Sequence, residues 1–266
     1  MDIRRAGMIL DDKLNSELAE EWDNSGWAVA QHDEELTGIL LCVDPTQQAL
    51  SRAIEDDLNL VVSHHPLILD PIDSVVDSDP QKALMIRAIK HDISLYGAHT
   101  NVDSMKEGLN DEFAKLFKLQ EVEPIEPHPD DDNVGLGRVG RLGEELSMKA
   151  VEDRLRDRLE LTKLESLGEP DRTIRKIAVC TGSGGDFITH PAVQAADLYI
   201  TADVDHHDAL AASNSNLNLI NLDHYEMEVV FVEIVEELCR RYFDDVTIET
   251  FRRTNPFRRE FDGNAE

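Results

Sequence analysis

Three histidine clusters in the chain have the residue types and spacing for metal chemistry. His64 and His65 follow the apolar run LNLVVS directly and are trailed by Pro66. His99 comes just after ISLYGA, with Asp103 four residues on, and His224 comes just after LNLINL, with Glu228 four residues on. Residues four apart share one face of a helical turn, so each imidazole and its carboxylate can aim at one spot. The adjacent pair His64-His65 diverges in extended chain, which suits two cations better than one. Four imidazoles and two carboxylates are generous for one ion and sufficient for two, with a carboxylate or water bridging and an open position at each. No cysteine joins the set, which argues against structural zinc. Mixed nitrogen and oxygen donors fit Zn, Fe, Mn, Co or Ni without choosing among them. A single histidine at a strand end is more often a hydrogen-bonded loop residue; three such clusters carry the metal reading.

The elements that must position these groups follow from the apolar pattern. Ligands of α/β sheets bind beyond the carboxyl ends of strands, where all three clusters fall. Helical spacing of Met8, Leu10, Leu14 and Leu18 predicts a helix over 8–21. Strands are expected at 37–44, 58–63 and 93–98, alternating with helices at 46–56, 80–91 and 106–118. Residues 120–133 hold three prolines and six acids without periodicity and read as a linker, with His128 a solvated loop residue. Beyond it, strands are expected at 134–142, 176–181, 196–201, 217–222 and 246–251, and helices at 147–159, 204–214 and 225–241. VVSHHP and YITADVDHHD form a weak internal echo. The expected fold is α/β: two similar lobes, 1–119 and 134–266, with mainly parallel sheets and the metal site in the cleft between them.

Composition narrows the partners. The 266 residues carry 26 Lys+Arg against 55 Asp+Glu, a net charge of −29. That field disfavours nucleic acid and anionic membranes. Aspartate (30) exceeds glutamate (25), and arginine (17) exceeds lysine (9), with the acids spread along the whole chain. Such a surface holds water and cations and reads as adaptation to a salty cytosol. Cys42, Cys180 and Cys239 are far apart and read as reduced, buried thiols of a cytoplasmic protein. No apolar run reaches the roughly 18 residues of a membrane span. The stretch AGMIL after Arg4-Arg5 is cut off by Asp11-Asp12 and does not read as a signal peptide.

Several segments together resemble one family: EEWDNSGW (20–27), CVDPT (42–46), LVVSHHPLI (60–68), LYGAHTNVDSMKEGLND (95–111), VGLGRVGRL (134–142), AVCTGSGGDFI (178–188), ADLYITADVDHHDAL (196–210) and DHYEMEVVF (223–231). The chain is similar throughout its length to the dinuclear-metal proteins labelled GTP cyclohydrolase type 2, also called the NGG-one-interacting-factor-three-like family. The resemblance implies two α/β lobes, a toroidal homohexamer and a two-metal site. Its ligand pattern falls on His64, His65, His99, Asp103, His224 and Glu228. The length matches the form without an inserted middle domain. Ala202 and Asp223 depart from the glycines usual in the family, which bears on substrate choice more than on metal binding. The resemblance implies a hydrolase opening a ring, with GTP as the labelled substrate; the residues themselves support hydrolysis of a small molecule at a polar or heterocyclic centre. Glu228 or Asp103 is the expected bridging ligand, and His207 a proton shuttle. The competing reading is a metal-handling assembly without turnover.

Weaker candidates remain. Thr181-Gly-Ser-Gly-Gly185 follows a strand and reads either as a phosphate cradle or as a tight turn. His206 and His207 read as proton donors near the metals or as histidines at a subunit contact. Trp22 and Trp27 are expected in the core, flanking a polar turn at Asp23-Asn24. Arg252, Arg253, Arg258 and Arg259 form a basic cluster that reads as a solvated tail.

Overall fold

A computed structural model describes residues 1–253; Arg258 and Arg259 lie outside the described residues. The chain opens with α1 (Ile3–Lys13), a 3-10 turn at Ser16–Leu18 and β1 (Gly26–Val29). Then come β2 (Gly38–Cys42), α2 (Gln47–Glu55), β3 (Leu60–Ser63), α3 (Pro80–Lys90), β4 (Ser94–Gly97), α4 (Thr100–Ser104) and α5 (Leu109–Phe117). The middle of the chain forms β5 (Gln120–Glu123), β6 (Glu126–His128), β7 (Asp131–Leu136), β8 (Arg138–Ser147) and α6 (Met148–Arg158). The remainder is β9 (Leu164–Leu167), β10 (Thr173–Ser183), a 3-10 turn at Gly185–Thr189, α7 (Pro191–Gln194), β11 (Leu198–Ala202), α8 (His206–Asn214), β12 (Asn218–Leu222), α9 (His224–Glu228), α10 (Val230–Tyr242) and β13 (Thr247–Phe251).

These strands make two large sheets, ordered β1-β4-β3-β2-β13 and β5-β8-β10-β11-β12-β9, with β6-β7 as a separate hairpin. Strands β2, β3 and β4 are buried at every residue, as parallel strands covered on both faces must be. Their outer face packs on α2 and α3 through Leu40, Val61, Leu84 and Ala88. The opposite face contributes Ile39, Leu41 and Val62 to one continuous core that also takes in Val179, Ile200 and Ile220 of the second sheet, with Ile3, Phe113 and Phe231 from the helices. The outer face of the second sheet closes on α7 and α8 through Tyr199, Val193 and Ala212. Local signals start the helices. Thr46 caps α2 by accepting from the Ala49 N–H; Asp79 caps α3 with Pro80 in first position; Asp205 and Asp208 form a capping box on α8.

The α/β class holds, with corrections of detail. The first helix spans Ile3–Lys13 rather than 8–21, because Asp2 caps it and the buried stripe is Ile3, Ala6, Gly7 and Leu10; Met8 faces solvent. The stretch 120–133 is no bare linker: β5 pairs with β8, and β6 turns back on β7. The second sheet is mixed. β10, β11 and β12 run parallel, while β5, β8 and β9 add antiparallel edges. Finally, β13 leaves the second sheet's part of the chain and pairs in parallel with β2 of the first. Neither β1 nor β9, four residues each, is among the expected strands. The expected helix over 225–241 is divided at Val229 into α9 and α10.

One buried cation ties the two parts together. The Arg138 guanidinium on β8 donates to the carbonyls of Gly135, Gly137, Ser104 and Met105 and pairs with Asp111. Two of those carbonyls close the C-terminal end of α4, the helix that carries Asp103, where a positive charge also meets the helix dipole favourably.

Candidate metal centre

The carboxyl ends of the parallel strands from both sheets meet at one place. His64 and His65 leave β3, His99 leaves β4 and stands at the start of α4, and Asp103 lies one turn into that helix. From the second sheet, His224 and Glu228 bracket α9 directly after β12. The ring centroids of His64 lie 5.1 Å from His65 and 5.2 Å from His99, and His65 lies 5.3 Å from His224. Candidate ligand atoms of His64, His65 and His99 lie within 4.8 Å of one another, as do those of His65, His224 and Glu228.

Glu228 stands in the middle and is almost fully buried. Its Oε1 is 3.5 Å from His64 Nε2 and 3.0 Å from His224 Nε2, and its Oε2 is 3.1 Å from His65 Nε2. Asp103 Oδ2 lies 3.8 Å from His64 Nε2, while its Oδ1 accepts the Thr181 hydroxyl at 2.7 Å. The structure therefore brings all six expected groups into one cluster.

Each imidazole is held from behind. His64 Nδ1 meets the Ala98 carbonyl at 3.0 Å. His65 Nδ1 meets Asp44 Oδ1 at 2.8 Å, His99 Nδ1 meets Asp23 Oδ1 at 2.9 Å, and His224 Nδ1 meets Asp203 Oδ2 at 2.7 Å. With Nδ1 bound in all four rings, Nε2 is the nitrogen each can offer a cation. An acceptor behind the ring fixes its tautomer and raises its basicity, the usual support of a metal-ligating histidine. Asp23 is itself fixed by Ser25 and Thr100. Sequence reasoning missed Asp23, Asp44 and Asp203 as functional residues. Asp44 and Asp203 stand at or just past the ends of expected strands, in CVDPT and ITAD, which is the one hint the sequence offers of them; Asp23, in WDN, has no such signal.

The chemistry of the set fits a cation. His64 Nε2, His224 Nε2 and Glu228 Oε2 are buried and make no well-angled hydrogen bond; the two imidazoles meet Glu228 Oε1, and Glu228 Oε2 meets His65 Nε2, at ion-pair distance. Native interiors rarely tolerate such atoms, and here they converge. Gly182, at φ +69°, backs onto the cluster: a Cβ there would stand 2.5 Å from Glu228 Oε1 and 3.5 Å from His224 Nε2. Burial alone would raise the Glu228 carboxyl, but the charges of His65, His64 and His224 hold it well below the ordinary glutamate range. Burial alone would lower His65 and His224, yet the Glu228 carboxylate dominates and lifts them to about 10 and about 9. Asp103 is raised, chiefly by burial.

A family model described as Duf34/NIF3 (NGG1p interacting factor 3) matches residues 1–256. The chain belongs to this family. A curated Duf34/NIF3 relative from Streptomyces coelicolor, named GTP cyclohydrolase 1 type 2 homolog, is 33% identical over 258 residues, 93% of this chain and 90% of that protein. One of the same name from Clostridium perfringens is 31% identical over 239 residues, covering 90% and 91%. The crystal structure of the Staphylococcus aureus hypothetical protein SA1388 superposes with a TM-score of 0.85 at 25% identity, covering 98% of this chain and 99% of that one.

Other expectations fare differently in this Duf34/NIF3 chain. Thr181–Ser183 end β10 and Gly184 leads into the 3-10 turn; the Thr181 N–H donates to Asn110 and the Gly184 N–H to Thr201, so these two donors do not face an anion. His206 and His207 lie exposed in the first turn of α8, with their rings 5.5 Å apart. Trp22 is 60% exposed and edge-on to His99, not in the core, because Asp23 beside it is drawn inward to His99. Trp27 does pack on the core, against Tyr96. Arg253 is no solvated tail residue: its Nε donates to Asp44. All three cysteines are free and buried. Among the described residues no helix is long and apolar enough to cross a membrane.

Proposed function

We propose that the cluster holds two divalent cations and that the protein is a metal-dependent hydrolase of a small molecule, a nucleotide being the candidate suggested by the relatives' names. The observation that carries this reading is the set of four histidines, each bound at Nδ1, of which His64, His65 and His224 present Nε2 to the buried Glu228 carboxylate while His99 joins the His64–His65 group. His64, His65 and His99 form one half of the donor set; His65, His224 and Glu228 form the other, with Asp103 beside His64. Such cations would supply Lewis acidity and lower the pKa of water toward neutrality. Glu228, ionised and in contact with His64, His65 and His224, would be the carboxylate able to serve both cations. Asp23, Asp44 and Asp203 keep the proton of His99, His65 and His224 on Nδ1, and the Ala98 carbonyl does so for His64. Thr181 occupies one oxygen of Asp103 and leaves the other directed inward. His207, exposed in the first turn of α8, is the proposed proton shuttle.

The test incubates metal-loaded protein with GTP, cyclic amides and phosphoesters and follows products by mass spectrometry. The reading expects turnover of at least one compound, abolished by chelation and by His207→Ala combined with Glu228→Ala. No turnover, with cations exchanging freely, would instead favour a metal-handling assembly.

A further inference from the structure

The segment after β13 returns to the metal cluster from an unexpected side. β13 lies parallel to β2 with Phe251 opposite Cys42. Carried two residues past each strand end, that register sets Arg253 beside Asp44. Arg253 Nε donates to Asp44 Oδ2 at 2.7 Å, while Asp44 Oδ1 holds Nδ1 of His65 at 2.8 Å. The two carboxylate oxygens are thus divided between a guanidinium and an imidazole. The pair is shielded, with side chains 19% and 25% exposed. On its other side, the Arg253 guanidinium lies 4.3 Å from the centroid of the Tyr225 ring. The Arg253 N–H also donates to the Tyr225 hydroxyl at 2.8 Å. Tyr225 directly follows His224 on α9. One residue therefore touches the neighbours of two candidate ligands that come from different sheets.

We propose that Arg253 is a positioning residue of the metal centre: through Asp44 it fixes the ring of His65, and through Tyr225 it holds α9, with His224, against the first sheet. The proposal rests on the metal reading of the cluster. A carboxylate bound at one oxygen can swing about its side-chain bond; bound at both it is fixed, and so is the imidazole it carries. Arginine suits the position because its planar group can donate in-plane to Asp44 and stack on Tyr225 at once. A lysine ammonium cannot do both.

The test measures Co(II) affinity of the full-length protein by competition with a chromophoric chelator, together with the visible spectrum of the Co(II)-loaded form. Arg253→Gln, which is shorter and loses the charged guanidinium, should weaken binding about tenfold, at the lower end of the effect of orienting partners, and should shift the Co(II) spectrum. Arg253→Lys should give an intermediate loss. Arg252→Gln, which removes only the contact with Glu233, should bind as the wild type does. Asp44→Asn combined with Arg253→Gln should lose less than the sum of the two single losses, because one of the two arms of Arg253 runs through Asp44. Wild-type affinity and spectrum in Arg253→Gln, or an additive loss in the double variant, would overturn the proposal. Should Arg253→Gln fail to fold, Arg253→Lys carries the same comparison. A wild-type protein that takes up no cobalt would bring down the metal reading itself, a distinct result visible before any variant is made.

Discussion

At the scale of single residues, the centre depends on acids that touch histidines rather than on the histidines alone. Asp23→Asn, Asp44→Asn and Asp203→Asn should each lower cation affinity by about 10–100-fold while leaving the ligands in place; calorimetric titration with zinc measures this. Gly182→Ala should be more disruptive than its size suggests. The residue sits at φ +69°, and its new methyl would press on Glu228. We expect a stability loss of about 1 kcal/mol or more from the backbone, together with weaker metal binding, read by urea unfolding and titration. The pH response of metal-free protein has a definite sign. His65 and His224 are raised to about 10 and about 9, so their contribution is fully present below the ordinary histidine value and fades as pH rises through 9 to 10. Glu228 is depressed, so its contribution is present above the ordinary glutamate value and fades only in strong acid. Chelated protein should therefore lose thermal stability between pH 6 and pH 10 more steeply than chelated Glu228→Gln. Parallel curves for the two proteins would contradict this.

At the scale of elements, the strand-end edge of each sheet organises the site, and Arg138 binds the two edges together. Arg138→Met should cost about 3 kcal/mol, since it leaves the Asp111 charge and four carbonyls without their partner. Chemical denaturation checks this, and a loss within about 0.5 kcal/mol, the range of a neutral surface change, would show that the carbonyls find other donors. Much of this layer was legible in the sequence. LVVS before His64 and LNLINL shortly before His224 are short, mainly apolar and β-forming, the pattern of largely buried strands, so the residues after each run could be placed at a sheet edge. Asp103 and Glu228 were legible through helical spacing. The supporting aspartates were not, because a lone Asp among 30 carries no period. Nor was the return of β13 to β2. Pairing across two hundred residues is decided by which edge is open in the folded sheet, and VTIETF reads the same in either sheet. Trp22 was misplaced for a related reason: hydrophobicity put it in the core, whereas hydrogen bonds at Asp23 turn its neighbour outward.

At the scale of the whole molecule, charge is the dominant feature. Most ion pairs are exposed, such as Arg4 with Asp33, and contribute little each. With 55 acids against 26 bases, most carboxylates have no basic residue to pair with, and their mutual repulsion is what salt would screen. Read as adaptation to salt, this composition predicts a thermal midpoint that climbs with KCl into the molar range. A flat or falling midpoint in scanning calorimetry would contradict it. The homohexamer implied by the family resemblance predicts a light-scattering mass six times that of the chain.

The central claim is that imidazoles and a buried carboxylate from two sheets grip cations at one point. Anomalous diffraction from crystals grown with zinc, recorded on both sides of the absorption edge, tests it most directly. We predict peaks about 2.0–2.2 Å from Nε2 of His64, His65 and His224 and from the Glu228 carboxylate, the ordinary zinc–ligand distances. Density for zinc elsewhere, with these groups bare, would contradict the account.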